Sequence, residues 1–242
     1  MSDTYHVKGF IRASMLDWPG RIASVLFLGG CGFRCPACHN HKLVLDPHSM
    51  PDYPIDRILD YLARRDTWID GVVVTGGEPT ATRKLPELIA IFKDRGVKVK
   101  LETNGSNPRM VEMLMEESLI DGVSMDVKAP LTMQEYSLVA GVPLDPSVIQ
   151  RSIDMLRASG LEVSFRTTVI PGLVEEPELA RIRDSLGDVS SYRIQAFRNV
   201  DTLEPSFSSI QPFTAGRVEQ MRKRFEIPSV EEWTPGRYSY AV

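Results

Sequence analysis

The sequence predicts an α/β fold of about six β/α units on a parallel sheet. Three observations carry this. Short β-branched runs alternate with stretches of helical periodicity from residue 22 onward, the pattern of successive βαβ units. The chain has 242 residues, 43% hydrophobic and 25% charged, which is ample for a core and close to globular averages. Polar and glycine-rich segments come directly after the strands, where open α/β sheets and β/α barrels place their ligands. An open doubly wound sheet and a barrel-type wheel both satisfy the alternation, and six units are too few to close an eightfold barrel.

The elements follow in order. Residues 22–28 read as a buried strand, after which Ile55, Ile58, Leu59 and Leu62 show the spacing of an amphipathic helix. Residues 72–75 form a second strand, followed by Leu85, Leu88, Ile89 and Phe92 at helical spacing. Val97, Val99 and Leu101 alternate as a strand, and Met110, Val111 and Leu114 mark the next helix. Strands at 123–127, 163–169 and 193–197 complete the set, with helices near 147–159 and 176–186. The segments that trail the strands are residues 29–41, Gly76-Gly77-Glu78-Pro79, Glu102-Thr103-Asn104-Gly105 and Asp126-Val127-Lys128.

Composition narrows the function classes. Lys+Arg 28 against Asp+Glu 32 gives a formal charge of −4, so no basic nucleic-acid face is expected. No run approaches the ~18 apolar residues of a membrane span, and residues 1–9 carry no signal-peptide core. A cytoplasmic protein with a single domain over 1–242 is expected. Three cysteines is an odd number, against a disulfide framework.

All three, Cys31, Cys35 and Cys38, fall in one loop, Gly29-Gly30-Cys31-Gly32-Phe33-Arg34-Cys35-Pro36-Ala37-Cys38-His39-Asn40. Thiolates this close need a metal to hold them, or they repel and oxidise. Zinc would need a closed set of four, which His39 or His41 could complete as Cys3His. An iron–sulfur cubane normally takes four cysteines. Three would leave one iron open to a cofactor or substrate. The spacing alone leaves both metals standing.

C-x3-C-x2-C at the end of the first predicted strand resembles the signature of the radical S-adenosylmethionine (SAM) superfamily, and Gly76-Gly77-Glu78-Pro79 resembles its GGE motif. The resemblance implies a partial, open TIM-type barrel and a [4Fe-4S] cluster on Cys31, Cys35 and Cys38. It implies SAM chelated at the unique iron and cleaved by one electron to methionine and a 5′-deoxyadenosyl radical. Cys38-His39-Asn40, the upstream Gly9-Phe10, Ser14 and Asp17-Trp18-Pro19-Gly20-Arg21, and the later Arg166-Thr167-Thr168-Val169-Ile170-Pro171-Gly172 and Arg193-Ile194-Gln195-Ala196-Phe197 are similar to the activating proteins of glycyl radical enzymes. The likeness is greatest to activators of anaerobic ribonucleoside-triphosphate reductase. Such a protein removes an α-hydrogen from one glycine of its partner enzyme.

That resemblance implies roles for particular residues. Asp17, in a segment 1–21 that faces the substrate and leads into the core, would orient the partner's glycine loop; locally it reads as a turn. Ala37, His39 and Asn40 would lie against SAM, and the Gly76-Gly77-Glu78 backbone would hold its amino group. Glu78 could instead be a capping carboxylate ahead of the Leu85 helix. Lys128 is expected near the SAM carboxylate or ribose, and Asp126 near the ribose or a monovalent cation. Glu102 and Asn104 belong with them, and Gln195 near the adenine. Asp126 and Lys128, two apart, share one side of a strand end, and a solvated ion pair is their simpler reading. Arg166 is expected as a positioning cation, since an unpaired buried arginine is costly.

Departures from the family pattern matter as well. Ala37 stands where an aromatic is common, and Glu102 where related activators often carry aspartate, which puts the cation site in question. With no further cysteine, electrons must come from an external donor such as a flavodoxin or ferredoxin. Rival readings are a radical SAM enzyme acting on a small molecule, of the 7-carboxy-7-deazaguanine synthase type, and a non-catalytic zinc-binding protein.

Overall fold

Seven strands form one sheet in strict sequence order. They are β1 (Val7–Ser14), β2 (Ala23–Leu28), β3 (Gly71–Gly76), β4 (Lys98–Thr103), β5 (Gly122–Asp126), β6 (Glu162–Val169) and β7 (Tyr192–Ala196). The computed structural model describes residues 5–65 and 68–227; the outer parts of the expected 1–242 domain, 1–4 and 228–242, lie outside the described residues. β1 runs antiparallel to β2, and β2 through β7 are parallel neighbours.

Helices fill every crossover between the parallel strands. α1 (His41–Leu45) and α2 (Ile55–Arg65) join β2 to β3, α3 (Leu85–Lys93) joins β3 to β4, and α4 (Pro108–Glu116) joins β4 to β5. α5 (Met133–Ala140) and α6 (Ser147–Ala158) precede β6, α7 (Glu176–Leu186) precedes β7, and α8 (Ala215–Phe225) follows it. Six parallel strands in sequential order with helical crossovers make a partial β/α barrel. It is not closed, because β1 and β7 remain the two edges.

Local chemistry explains the elements that position the site. α3 buries Leu85, Leu88, Ile89 and Phe92 on one stripe. α4 starts where the Asn107 side chain accepts from the Met110 N–H, with Pro108 in its first turn. Along β6, Val163, Phe165, Thr167 and Val169 are buried in alternation, which leaves Ser164 and Arg166 to line the lumen. No helix among the described residues is long and apolar enough to cross a membrane.

Four elements were not anticipated. β1, with its glycine and two charged residues, shows no clean alternation and becomes a strand only by pairing with β2. The strand before the cysteine loop is therefore the second of the chain. α1 is a five-residue turn, and α5 shows little amphipathic contrast. α8 had a readable signal: Val218, Met221 and Phe225 are buried at spacings of three and four.

The turn between β1 and β2 caps the end of the sheet where the parallel strands begin. Trp18 is fully buried there against Ala23, Val25 and Val73. Its Nε1 donates to Glu162 Oε1 at 2.8 Å, and the Arg21 guanidinium lies 5.0 Å from the ring centroid.

Candidate functional site

The cysteine loop leaves the C-terminal end of β2 and is docked from four sides. Gly30 N–H donates to Leu43 O at the end of α1 (2.7 Å), and Arg34 N–H to Ala140 O at the end of α5 (2.8 Å). Leu203 N–H reaches Cys38 O and Glu204 N–H reaches Pro36 O, both at 3.0 Å, from the β7–α8 connection. The loop after β3 completes the cradle: Gly77 N–H donates to Leu28 O (2.9 Å) and Glu78 N–H to Gly30 O (2.8 Å). α5 stops at Gly141, φ +68°, where any side chain would also strike Arg34 O.

The Gly76-Gly77 pair is explained by this backbone contact. A Cβ on Gly77 would stand 2.0 Å from Gly30 O, and one on Gly76, at φ +126°, 2.3 Å from Leu28 O. Gly77→Ala is therefore expected to push the cysteine loop off its seat. Its iron uptake on anaerobic reconstitution should fall well below that of the unmodified protein; equal uptake would refute the close-approach explanation.

Glu78 faces inward. Its Oε1 accepts from the Thr80 N–H (3.1 Å), the Thr80 hydroxyl (2.5 Å) and the Thr103 hydroxyl (2.7 Å), and its Oε2 from the Asn104 N–H (2.7 Å). Burial pushes its carboxyl above the usual range, and these donors offset part of that. The side chain ties the loop after β3 to the end of β4. It caps the turn at Pro79–Ala81, not the Leu85 helix. Asn104 continues the tie with Nδ2 3.7 Å from Cys31 Sγ, and Asn40 Nδ2 donates to Gly76 O at 2.9 Å.

The three thiols act on one another electrostatically, and Lys128 acts on all three. Burial pushes the Cys31 thiol up to about 11 and raises Cys35 and Cys38 as well, with Lys128 opposing the rise. Binding a metal centre would displace the protons, as coordination deprotonates thiols outright.

Arg166 bridges two carboxylates across three strands. It donates to Glu102 through Nη1 at 2.7 Å and Nη2 at 3.0 Å, and to Asp126 through Nε. Lys128 Nζ donates to Asp126 at 3.1 Å, and the Thr75 hydroxyl to Glu102 at 2.9 Å. Burial would raise Asp126, but Arg166 and Lys128 hold it well below the usual carboxylate range. Burial likewise works against the Lys128 ammonium, and Asp126 more than restores it. Arg166 is thus a paired cation that ties β6 to β4 and β5. As placed, Glu102 and Asp126 do not fit an additional monovalent cation.

Two cavities meet at these residues. One of about 450 Å³ is lined by Cys35, Ala37, Cys38, His39, Asp126, Lys128, Arg166 and Gln195, the size of a small-ligand site. The other, about 760 Å³, is the barrel lumen and reaches Asp17, Lys100, Glu102, Arg166 and Gln195. Eight of the expected site residues thus share the mouth, while Gly76, Gly77, Glu78 and Asn104 stand behind it as its support. Asp17 does not join the mouth. Its turn lies where β2 begins, whereas the cysteine loop lies where β2 ends.

Lys100 is a buried lumen residue that the sequence did not single out. Its Nζ lies 2.8 Å from Asp17 O. Burial lowers its ammonium to about 8, with Glu102 opposing. A lysine alternating with apolar residues inside β4 was the available signal.

His39 spends Nε2 on Arg198 O (2.6 Å) and stacks on Phe197, and His41 spends Nε2 on Asp201 (2.9 Å). These contacts orient both rings and leave Nδ1 of each as the atom that would ligate. Cys35 and Cys38 line the smaller cavity, and Cys31 stands beside Asn104. Among the described residues no three ligand side chains are gathered round one point. Three thiols in one loop without a fourth cysteine nonetheless fit, by their chemistry, a cluster with one iron left for a ligand.

The fold and site define a partial-barrel β/α enzyme with three cysteines in one loop at the C-terminal end of its strands. Residues 25–182 match the family model of the radical SAM superfamily, and the chain belongs to that superfamily. The family implies a [4Fe-4S] cluster, SAM and redox radical chemistry. Over 210 residues the chain is 31% identical to a protein of Methanocaldococcus jannaschii assigned as a glycyl-radical enzyme activating enzyme, covering 84% of this chain and 85% of that one. It is 25% identical to the pyruvate formate-lyase-activating enzyme of Streptococcus mutans, over 96% of both chains. Among solved structures it is similar to Streptococcus suis SuiB bound to precursor peptide SuiA, at TM-score 0.63 and 14% identity over 83% of this chain and 44% of that one. It also resembles Escherichia coli coproporphyrinogen III oxidase (HemN), at TM-score 0.56 and 15% identity over 87% and 52%. These structures share the fold.

Proposed function

We propose that this protein generates a glycyl radical on a partner enzyme, and that the partner is anaerobic ribonucleoside-triphosphate reductase. The observation that carries the first part is the 31% identity, across 84% of the chain, to a protein named "putative glycyl-radical enzyme activating enzyme". The second part rests on the motifs around Asp17 and Cys38-His39-Asn40. Cys31, Cys35 and Cys38 would hold the cluster, which with bound SAM supplies one-electron cleavage of a sulfonium and a hydrogen-abstracting carbon radical.

The remaining work belongs to the chain. Lys128 offsets the negative charge of thiolates and of a ligand carboxylate, and Asp126 keeps that ammonium charged and oriented. Arg166, clamped by Glu102 and Asp126, stands where the mouth meets the lumen and holds that junction in one geometry. Ala37, His39 and Gln195 line the wall against which an adenosyl group would lie. Asn40, Gly76, Gly77, Glu78 and Asn104 keep the loops in register. The lumen is large enough for an extended peptide, with Asp17 on its wall. Holding the target glycine at near-attack distance is the main contribution a protein can make to such a step.

A soluble carrier such as a flavodoxin or ferredoxin would supply the electron, in the cytoplasm. The test is anaerobic incubation of the reconstituted protein with SAM, a reductant and the reductase, with a pyruvate formate-lyase in parallel, followed by EPR. A glycyl doublet on the reductase is expected. A doublet on the lyase alone would reassign the partner, and deoxyadenosine release without either doublet would point to a small-molecule substrate.

A further inference from the structure

The outward edge of β7 is covered in an unusual way. Phe165 N–H donates to Ser191 O, so alternation turns the backbone groups of Tyr192, Ile194 and Ala196 away from β6. Tyr192 exchanges two hydrogen bonds with Ile227, at 2.9 and 3.0 Å, as in an antiparallel pair. Ile194 is satisfied by side chains instead. Its N–H donates to Glu226 Oε1 at 2.7 Å, and its carbonyl accepts from Arg222 Nε at 3.2 Å. One turn apart on and just after α8, these two residues imitate the acceptor and donor of a strand residue. Ala196, the next outward position, is exposed.

The place of this edge is informative. Arg222 and Glu226 line the lumen, and Arg222, Gln195 and Ala196 line the mouth beside Cys35 and Cys38. A chain paired along Ile194 and Ala196 would run from the lumen wall to the thiols. We propose that the β7 edge accepts an extended segment of the partner polypeptide as an added strand, displacing the side chains of Arg222 and Glu226. This deepens, and rests on, the reading of the substrate as a protein glycine. Strand addition uses main-chain hydrogen bonds for affinity. The edge already takes one antiparallel rung from Ile227, and the two covering side chains are tethered only by rotatable bonds. Because Arg222 and Glu226 also pair with each other at 3.6 Å, they retain a partner when displaced. Covering an edge until its proper partner arrives also guards it against indiscriminate pairing.

The test uses the anaerobically reconstituted protein and short labelled peptides centred on the radical glycine of an anaerobic ribonucleotide reductase and of a pyruvate formate-lyase. Binding is read by fluorescence anisotropy, and amide exchange is followed at Ile194 and Ala196. The unmodified protein should bind one peptide and slow exchange at both amides. N-methylating the peptide backbone at alternate residues should weaken binding roughly tenfold, and methylating the intervening residues should not. The double variant R222A/E226A, which removes the competing side chains, should bind roughly tenfold more tightly. Because the methylation series needs no variant, it stands even if the double variant folds poorly. Binding without the two-residue period overturns strand addition and leaves the protein-substrate reading intact. A peptide-resistant dimer of this chain on the same edge also overturns it. No peptide binding, together with no glycyl signal on either whole enzyme, overturns both.

Discussion

Cys35→Ala is expected to abolish the iron–sulfur centre and, with it, all SAM cleavage. The unmodified protein should take up about four iron and four sulfide on anaerobic reconstitution, and the variant close to none. The reason is the ligand count. With three cysteines in the whole chain, losing one leaves two thiolates to hold a cubane that normally takes four. The fold should be spared. The loop carrying Cys35 is held by backbone hydrogen bonds from α1, α5 and two strand-end loops, none of which needs the thiol. Circular dichroism and the urea midpoint should therefore change little while iron and sulfide vanish. A variant that kept its cluster, or still formed a radical, would overturn the assignment of Cys31, Cys35 and Cys38 as the ligand set. One zinc per unmodified chain would overturn the cluster itself.

Arg166→Met is expected to destabilise the protein by about 2–3 kcal/mol near neutral pH, below the range for a fully buried pair because Arg166 and Asp126 are part-exposed. Glu102, 8% exposed, would lose both of its guanidinium bonds, and Asp126 would keep only Lys128. The pH dependence gives the sign. In the unmodified protein Asp126 is held below its ordinary value by the two cations that outweigh its burial. The stability it contributes is present above about pH 4 and is lost as pH falls through that depressed value. Without Arg166 only Lys128 opposes the burial of Asp126, so its carboxyl is depressed less in the variant. The variant therefore loses less stability on acidification than the unmodified protein. The gap in urea midpoint between the two proteins should be constant above about pH 5 and narrow as the pH falls below about 4. A gap that stayed constant throughout would show that Arg166 stabilises through packing and not through charge.

The β/α alternation was legible because strand and helix periods are local: Val72, Val73 and Val74, or Leu85, Leu88 and Ile89, announce their element without knowing their neighbours. The cysteine loop was legible for a similar reason. Three thiols within eight residues must share one site wherever the loop goes, and Gly76-Gly77 signals a close backbone approach even before the approaching atoms are known. β1 was not legible, since Val7–Ser14 owes its form to pairing with β2, and α8 was passed over although its stripe was present.

Partnership was what the chain could not disclose. Arg166 meets Glu102 and Asp126, residues 64 and 40 positions away, because parallel register sets Asp126 opposite Arg166. The Glu78 side chain turns inward to Thr80, Thr103 and Asn104 because the turn after β3 directs it there. Asp17 reaches the lumen from the end of the sheet opposite the thiols, and the β7 edge is capped by side chains from α8. By itself, then, the sequence determined the elements, the three metal-ligand candidates and the end of the sheet where they gather. Each of these depends on residues close together in the chain. The tertiary structure alone decided which charges neutralise one another, which polar groups support the site from behind and which strand edge is left to a partner, since those follow from the register of strands brought together only by folding.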